Sequence, residues 1–404
     1  MLQNLNALLK KNYSFLIIGI ASISFLTLNI LLKDVLNGIE YGMFSILISS
    51  ISILFSLGLF GFDQVFIRKA IIKENKIKID LRLIVISLLI MLISTVFFAY
   101  IFNRYYDFGI HSFWLYLLII AILLIKFSYQ FLRLSSFFIT SQLTLNFWKI
   151  GLLFLILICM FLDINISLNK IIFYIISLTS LSLISYFFII NNIEIVRLKN
   201  STSDLLKLGF GFLLVIISVT VLGFFDRFII ERKFGFEALG NYFFYLNVYL
   251  YPFLIFSNYI GFKKLIEFKK SFTSSELNKQ ILNFFKISCL LSILYLLLTI
   301  IIDSIGLYNF NIFKNIELIL MLIFWGIIRI IASLISSALG AIADKKHLNF
   351  INIFTVIKFI IIFLILDILN SIMDIVIVFI IVWILRYILC YFLILKNRIN
   401  TTSL

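Results

Sequence analysis

Runs of about 20 mainly apolar residues recur along the whole chain, and they limit its fold more than any other feature of the sequence. A helix of this length can cross the hydrocarbon core of a bilayer. The chain is 63% hydrophobic and only 13% charged, whereas soluble domains have roughly 45–50% apolar and about 25% charged residues. No soluble fold could bury this much apolar surface, so we predict an all-α integral membrane protein.

The runs predict about twelve transmembrane helices, and no loop between them is long enough to form a domain of its own. The first run is too long for the apolar core of a signal peptide and has no small-residue cleavage site after it, so we expect a permanent span. The runs lie at approximately 13–32, 42–62, 83–102, 113–131, 147–162, 171–190, 208–230, 240–260, 281–302, 317–338, 351–367 and 373–393.

Basic residues predict the orientation of these helices. The net charge is +15, which on a soluble protein would suggest nucleic acid, but here Lys and Arg punctuate the apolar runs. They are about three times as frequent in the loops on the side of the N-terminus as in the opposite loops, and such an excess marks the cytoplasmic face. We therefore expect a multi-pass protein with both termini in the cytoplasm and with no nucleic-acid partner.

An even number of spans with both ends on one side fits two lobes of six helices related by an axis along the membrane normal. We place these lobes at residues 1–200 and 201–404, joined by a polar cytoplasmic linker at about 191–207. A partial repeat supports the division, because residues 223–242 echo residues 31–44. Each stretch reads as the end of an apolar helix, a charged turn, and then a glycine and an aromatic residue that open the next helix.

Six basic residues fall inside the runs or at their ends, where a charge at the bilayer centre costs about 2.5–3.5 kcal/mol and by default marks a pathway. Three of these six lysines and arginines lie close to the cytoplasmic end of a run, and a fourth lies about two turns from one. Their side chains can therefore reach the membrane interface instead of a pathway. Arg329 and Lys358 are the deepest. We predict a central cationic cavity that binds an anionic substrate, with phosphate or pyrophosphate as a good candidate. The three near the ends are Lys126, Lys149 and Lys286, and the fourth is Arg386.

Three further residues are candidates for gating or coupling. Asp226 and Arg227 are neighbours near the end of the seventh run, where they form either an outer gate or an ordinary interfacial pair. Pro252 is the single proline of the chain and lies in the eighth run. A proline there kinks a helix, and the kink is either a fixed bend or a hinge for alternating access.

Motifs of catalysis are absent from the sequence. It contains no nucleotide-binding loop, no nucleophile elbow and no metal-binding Cys or His pair. The three cysteines are far apart inside apolar runs, and the two histidines lie in predicted loops. We therefore expect a transporter rather than an enzyme, with no cofactor and no metal, driven by a gradient or by the disposition of its substrate.

Three stretches resemble the polysaccharide transporters of the multidrug/oligosaccharidyl-lipid/polysaccharide exporter superfamily, which include the O-antigen flippases. The first is Gly-x-Glu-Tyr-Gly-x-Phe at residues 38–44. The second is the glycine-rich end and basic turn at residues 56–69. The third is the pair at 226–227 followed by Glu-Ala-Leu-Gly-Asn-Tyr at 237–242.

This resemblance implies a flippase of a bacterial inner membrane. Such a protein moves an undecaprenyl-pyrophosphate-linked oligosaccharide, the repeat unit of an O-antigen or capsule, to the periplasmic leaflet through a cavity that opens alternately to either side. Membrane lipids, a polysaccharide polymerase and a chain-length regulator are then the expected partners. Two alternatives stay open: an integral-membrane polysaccharide polymerase, against which the short outside loops argue, and a multidrug antiporter of the same superfamily, which would need carboxylates in the membrane.

Overall fold

The computed structural model describes residues 2–73, 76–135, 137–187, 193–196, 201–270, 272–342 and 345–401. Its chain divides into two compact units, unit 1 (Met1–Gly240) and unit 2 (Asn241–Leu404). The boundary falls inside a long helix, 40 residues beyond the predicted end of the first lobe. The arrangement of two six-helix lobes stays a prediction.

Unit 1 is built from helices and one small sheet. Its elements are α1 (Leu2–Val35), α2 (Gly38–Leu57), α3 (Phe62–Lys69), β1 (Ile71–Lys73), β2 (Lys76–Asp80), α4 (Leu81–Tyr105), α5 (Ser112–Leu134), α6 (Phe138–Phe161), α7 (Leu168–Ser182), β3 (Ile193–Val196) and most of α8 (Thr202–Tyr245). Helix α5 packs against α2, α3, α4, α6 and α7 and is the central helix of the unit.

Unit 2 continues with a π-helical turn, Leu246–Leu250, and five helices. These are α9 (Tyr251–Lys270), α10 (Ser274–Ser304), α11 (Ile316–Ile342), α12 (Lys345–Ile365) and α13 (Ile372–Thr401). Helix α11 is central, because α9, α10 and α13 all pack against it. Small residues allow the close approach of α9: hydroxyls of Ser333 and Ser337 donate to the carbonyls of Ser257 (2.7 Å) and Gly261 (3.0 Å).

Ten helices among the described residues are long and apolar enough to cross a membrane, and one bent pair raises the number to eleven. This confirms the predicted all-α membrane fold. The bent pair, Thr202–Leu214 and Val219–Gly261, covers most of the seventh and the whole of the eighth predicted runs. The single spans are Leu16–Val35, Gly38–Lys69, Leu81–Tyr105, Ser112–Leu134, Phe138–Phe161, Leu168–Ser185, Ser274–Ser304, Phe313–Ile342, Phe350–Ile368 and Ile372–Leu395.

The charged turn predicted between the seventh and eighth runs is helical on both sides of one residue. Only Gly235 leaves the helical region, with φ 82° and ψ 176°, a conformation that glycine adopts without a steric penalty. Its neighbours, rich in Glu, Arg, Lys, Ala and Leu, are good helix formers, so the helix resumes at once. The corresponding stretch near the N-terminus does break, because Asn37 caps α2 by accepting the backbone N–H of Glu40 at 2.9 Å.

The two echoing motifs pack against each other inside unit 1. A Cβ at Gly42 would overlap the carbonyl group of Phe236, and a Cβ at Gly240 would lie 2.8 Å from the carbonyl oxygen of Gly38. The glycines therefore let α2 and the end of α8 approach with backbone against backbone. This contact gives a physical reason for the glycines at both motifs.

Part of the predicted linker is structured and pairs with the first unit. Strand β3 runs parallel to β2, which is antiparallel to β1. Residues 191–192 and 197–200 of the linker lie outside the described residues. The sheet covers an apolar core whose buried members include Phe66, Ile77 and Phe131.

We expect Gly42→Ala to destabilise the protein by about 1–3 kcal/mol, because the added methyl must displace the Phe236 backbone. Gly19→Ala is the matched control, since a Cβ there meets nothing within 4 Å and alanine favours a helix. Thermal unfolding of the purified variants in detergent compares them. Equal unfolding temperatures for the two variants would contradict the close helix contact.

Candidate functional site

Three basic side chains from three membrane helices of unit 2 are the centre of the candidate site. They are Arg329 of α11, Lys358 of α12 and Arg386 of α13, and we call them the cation cluster. Lys358 and Arg386 are 3% and 8% exposed. All three lie within candidate spans.

Trp383 joins the two arginines of the cation cluster. The Cζ atom of Arg329 lies 3.9 Å from a ring centroid of Trp383, and that of Arg386 lies 5.8 Å from it. A guanidinium on an indole face is stabilised by the ring quadrupole, most strongly when water is excluded. The spacing of three residues puts Trp383 and Arg386 on one face of α13.

Lys358 completes the cluster from the side of α12. Arg386 and Cys390 are its electrostatic neighbours, and its Nζ lies 4.7 Å from the ring centroid of Phe354. Among the described residues, Nζ of Lys358 has no hydrogen-bond partner. A buried ammonium beside a second cation is unfavourable by itself, so this position favours an incoming anion.

The arrangement can bind an anion such as phosphate. In a low dielectric several positive groups attract a negative charge far more strongly than they do in water. Stacking engages the face of a guanidinium, and the N–H groups in its plane are the ones that match phosphate oxygens. The described acidic residues of unit 2 sit near helix ends, for example Glu317 in the first turn of α11 and Asp374 in the first turn of α13.

Lys126, another predicted cavity residue, pairs with a carboxylate in unit 1. Its Nζ lies 3.2 Å from Oδ2 of Asp63, which is 1% exposed, and 4.5 Å from the ring centroid of Phe55. The same Oδ2 accepts hydrogen bonds from Gln64 (3.0 Å) and Gln130 (3.2 Å). Lys126 is thus electrically neutralised within its own unit.

A break in the second span brings Asp63 to this position. Helix α2 ends at Leu57, Phe60 and Gly61 take positive φ angles of 46° and 79°, and α3 then begins. The break is tolerated within the membrane because other groups of the protein form hydrogen bonds with its backbone polar atoms. The hydroxyl of Ser94 donates to the carbonyl of Gly58 at 2.7 Å.

The two remaining predicted lysines lie apart from the cation cluster along the chain. Lys149 of α6, in unit 1, donates to Oδ1 of Asn146 at 3.2 Å and lies 5.7 Å from the ring centroid of Phe25. Lys286 is exposed on α10 of unit 2. The structure therefore brings together three of the six predicted binding residues, all in unit 2.

Asp226 and Arg227 are both buried in the interior of α8, 0% and 5% exposed. Nη1 of Arg227 donates to the hydroxyl of Ser49 on α2 at 2.7 Å, and its Cζ lies 5.0 Å from the ring centroid of Phe224. Arg227 thus links α8 to α2 within unit 1. The role of the pair in gating stays a prediction.

Pro252 has a defined hydrogen-bonding consequence. A proline lacks the N–H that would bond the carbonyl four residues earlier in a regular α-helix, and that carbonyl here belongs to Val248. The hydroxyl of Tyr295 on α10 donates to that carbonyl at 2.8 Å instead. The π-helical turn ends two residues before Pro252, and a cavity of about 180 Å³ lies beside the proline.

Sequence reasoning missed Asp63, Trp383 and Tyr295. Asp63 stood in a motif that we interpreted as a turn, and nothing local indicated its pairing with Lys126. For Trp383 a signal existed, since an aromatic residue one turn from a deep arginine is a natural stacking partner. The role of Tyr295 follows only from the fold, because 47 residues separate it from Val248.

No protein-family profile and no curated protein matches this sequence. The fold is similar to that of a solved structure, the lipid II flippase MurJ in an inward closed conformation. The TM-score is 0.65 at 17% sequence identity, over 94% of this chain and 86% of that chain. This likeness shows a shared fold over nearly the whole of the chain.

Replacing one partner of the Asp63–Lys126 pair should destabilise the protein more than replacing both. We expect Asp63→Asn or Lys126→Met alone to cost about 3–5 kcal/mol, because each leaves a buried charge without its partner. The double variant should be more stable than either single variant. A double-mutant cycle by thermal unfolding measures this coupling, and additive losses would contradict the ion pair.

Tyr295→Phe should cost about 1–3 kcal/mol in the parent protein, because the Val248 carbonyl loses the hydrogen bond from the Tyr295 hydroxyl. In a Pro252→Ala background the restored N–H at position 252 can serve that carbonyl, so the same change should cost less. Unfolding of the four proteins tests the coupling. An equal loss in both backgrounds would show that Tyr295 does not replace the missing proline N–H.

Proposed function

We propose that this protein is a flippase that moves an undecaprenyl-pyrophosphate-linked oligosaccharide, the repeat unit of an O-antigen or capsule, from the cytoplasmic to the periplasmic leaflet of a bacterial inner membrane. The proposal includes alternating access by two lobes, at about 1–200 and 201–404. It also includes a polymerase and a chain-length regulator as partners that act on the product.

The cation cluster is the observation that carries the proposal. Arg329, Lys358 and Arg386 lie on three different membrane helices. A charge in such a helix opposes membrane insertion, so it usually has a role in function. A pyrophosphate offers several oxygens at short spacing, so it can engage the two guanidinium groups and the Lys358 ammonium together. Lys358 has an orientation suited to an added partner, since its Nζ has none among the described residues.

The shared fold supports the same class of activity. MurJ carries the name of a lipid II flippase, and lipid II is a lipid-linked molecule. The three sequence motifs point to polysaccharide transporters of the same general kind of fold. Fold alone does not fix a substrate, so the proposed oligosaccharide rests only on the sequence motifs.

One observation favours a second candidate, a multidrug antiporter. Such a protein needs carboxylates within the membrane, and Asp63 and Asp226 are 1% and 0% exposed. Asp63, however, already contacts the Lys126 ammonium. A site for cationic drugs would also have to lie away from the cation cluster, which repels them.

Deletion of the gene in its host bacterium is the first test. We expect complete repeat units to accumulate on undecaprenyl pyrophosphate in the inner leaflet and surface glycan to be lost. Repeat units that reach the outer side without being polymerised would indicate a polymerase instead. An unchanged glycan profile with increased drug sensitivity would favour the antiporter.

Complementation of that strain then tests the cation cluster. Arg329→Glu and Lys358→Glu should abolish glycan export although the proteins still insert, because each replaces attraction for a phosphate by repulsion. Lys170→Gln is the matched control, since Lys170 is exposed in the first turn of α7 and donates to the carbonyl of Asn165 at 2.6 Å. Full export by both glutamate variants would exclude the cluster from substrate binding.

A further inference from the structure

A second pocket, of about 320 Å³, lies in unit 1 at the end of α4 and the start of α5. This volume is within the range of about 300–1,000 Å³ that is usual for small-molecule sites. Its polar lining comes from Asn103, Asp107 and Ser112, and its aromatic lining from Tyr106 and Phe108. None of these residues belongs to the candidate site described above.

The three polar side chains of the pocket complement one another in hydrogen bonding. The Asn103 amide both donates and accepts, the Asp107 carboxylate accepts, and the Ser112 hydroxyl does either. All three residues are exposed, so a ligand from water can reach them. Oδ1 of Asp107 accepts the backbone N–H of Gly109 at 2.9 Å, which orients the carboxylate and uses only one of its oxygens.

The aromatic wall of the pocket is fixed by contacts with α8. The ring centroids of Tyr106 and Phe108 lie 6.1 Å apart, and Phe108 is 5% exposed. The ring of Tyr106 also packs against Phe228 and Phe236, with centroids 6.2 and 6.5 Å away. Its hydroxyl donates to Oε2 of Glu231 at 3.3 Å. The wall therefore needs no rearrangement before a ligand binds, which lowers the cost of binding.

The charge of the pocket distinguishes it from the cation cluster. Its lining contains the carboxylate of Asp107 and neither Lys nor Arg, so it does not attract a phosphate. It suits a neutral molecule that carries many hydroxyl groups, because each hydroxyl both donates and accepts a hydrogen bond. The C–H groups of such a molecule can pack on the two rings. A sugar has this combination of polar edges and an apolar face.

The predicted topology places the pocket on the outer side of the membrane. The distribution of basic residues predicts that the loop between α4 and α5 lies opposite the termini, in the periplasm. A lipid-linked oligosaccharide carries its sugars on this side only after it has been translocated. The pocket can therefore meet the product of transport rather than the cytoplasmic precursor.

We propose that the pocket binds a sugar of the oligosaccharide after translocation, with Asn103, Asp107 and Ser112 as hydrogen-bonding groups and Tyr106 and Phe108 as the packing surface. This inference rests on the proposed function and extends it from the charged end of the substrate to its saccharide. The saccharide and the pyrophosphate then have separate sites, one in unit 1 and one in unit 2.

The test measures binding of the saccharide freed from its lipid. Mild acid cleaves the bond between sugar and pyrophosphate in the precursors that accumulate in the deletion strain. The released saccharide is titrated against the purified full-length protein, and saturation-transfer NMR detects the sugar protons that contact it. We expect binding to the parent protein and about tenfold weaker binding to Asn103→Ala, because the hydrogen bonds of the amide are lost.

Arg104→Ala is the matched control for this variant. Arg104 is the next residue of α4, is exposed as Asn103 is, and does not line the pocket. Its replacement should leave binding of the saccharide unchanged. Weaker binding to Arg104→Ala together with unchanged binding to Asn103→Ala would show that an anionic group is recognised beside the pocket, which overturns the proposal.

A second variant, Asp107→Asn, removes the charge but keeps an oxygen that can accept the N–H of Gly109. It should also weaken binding, since hydrogen bonds to a charged group are stronger than those to a neutral one. Unchanged binding to both Asn103→Ala and Asp107→Asn, with unfolding temperatures like that of the parent, would overturn the proposal. Displacement of the saccharide by inorganic pyrophosphate would overturn it too, because the binding would then belong to the cation cluster.

The deletion strain separates this proposal from the proposed function. If lipid-linked precursors accumulate there and the parent protein does not bind the released saccharide, the pocket proposal is wrong and the flippase proposal stands. If no precursors accumulate, the proposed function fails, and the pocket proposal fails with it.

Discussion

The cost of holding a charge inside a membrane helix shapes this protein more than any other constraint. An uncompensated charge at the bilayer centre raises the free energy of insertion by about 2.5–3.5 kcal/mol. This is a large part of the net stability of a folded protein. Specific partners or aromatic surfaces accordingly meet four of the basic groups described above, Lys126, Arg227, Arg329 and Arg386. The breaks in the helices, the serines and the aromatic residues can be understood as the means of supplying those partners.

The two units meet this cost in different ways. In unit 1 Lys126 is neutralised by Asp63, so the ion pair produces only a weak electric field at a distance. In unit 2 Arg329 and Arg386 share the indole of Trp383, which softens the cost of burial while the net charge remains positive. Only the second arrangement keeps an attraction for anions. This difference explains why we place the substrate phosphate in unit 2, although lysines occur in both units.

The sequence was sufficient for features that depend on local composition. Apolar runs place the helices, because any stretch of that length must avoid water, and the depth of Arg329 and Lys358 follows directly from their position in a run. Features that depend on distant partners could not be obtained in this way. The carboxylate that neutralises Lys126 is 63 residues away in the chain. The position of the kink in α8 was hidden as well, because a charged stretch is equally good as a turn or as a helix. The backbone conformation of Gly235 sets that position, which composition alone does not reveal.

The parallel pairing of β2 with β3 has a consequence for the order in which the chain assembles. Lys78 and Glu194, which face each other at 3.2 Å, are 116 residues apart, so at about 5–20 residues per second the ribosome needs roughly 6–23 s to make the second strand after the first. Throughout that time β2 has a free edge on which a foreign strand could add. Lysines at positions 76 and 78 discourage such additions until β3 arrives. The apolar core around Phe66 therefore closes late in synthesis, after the first six spans have been made.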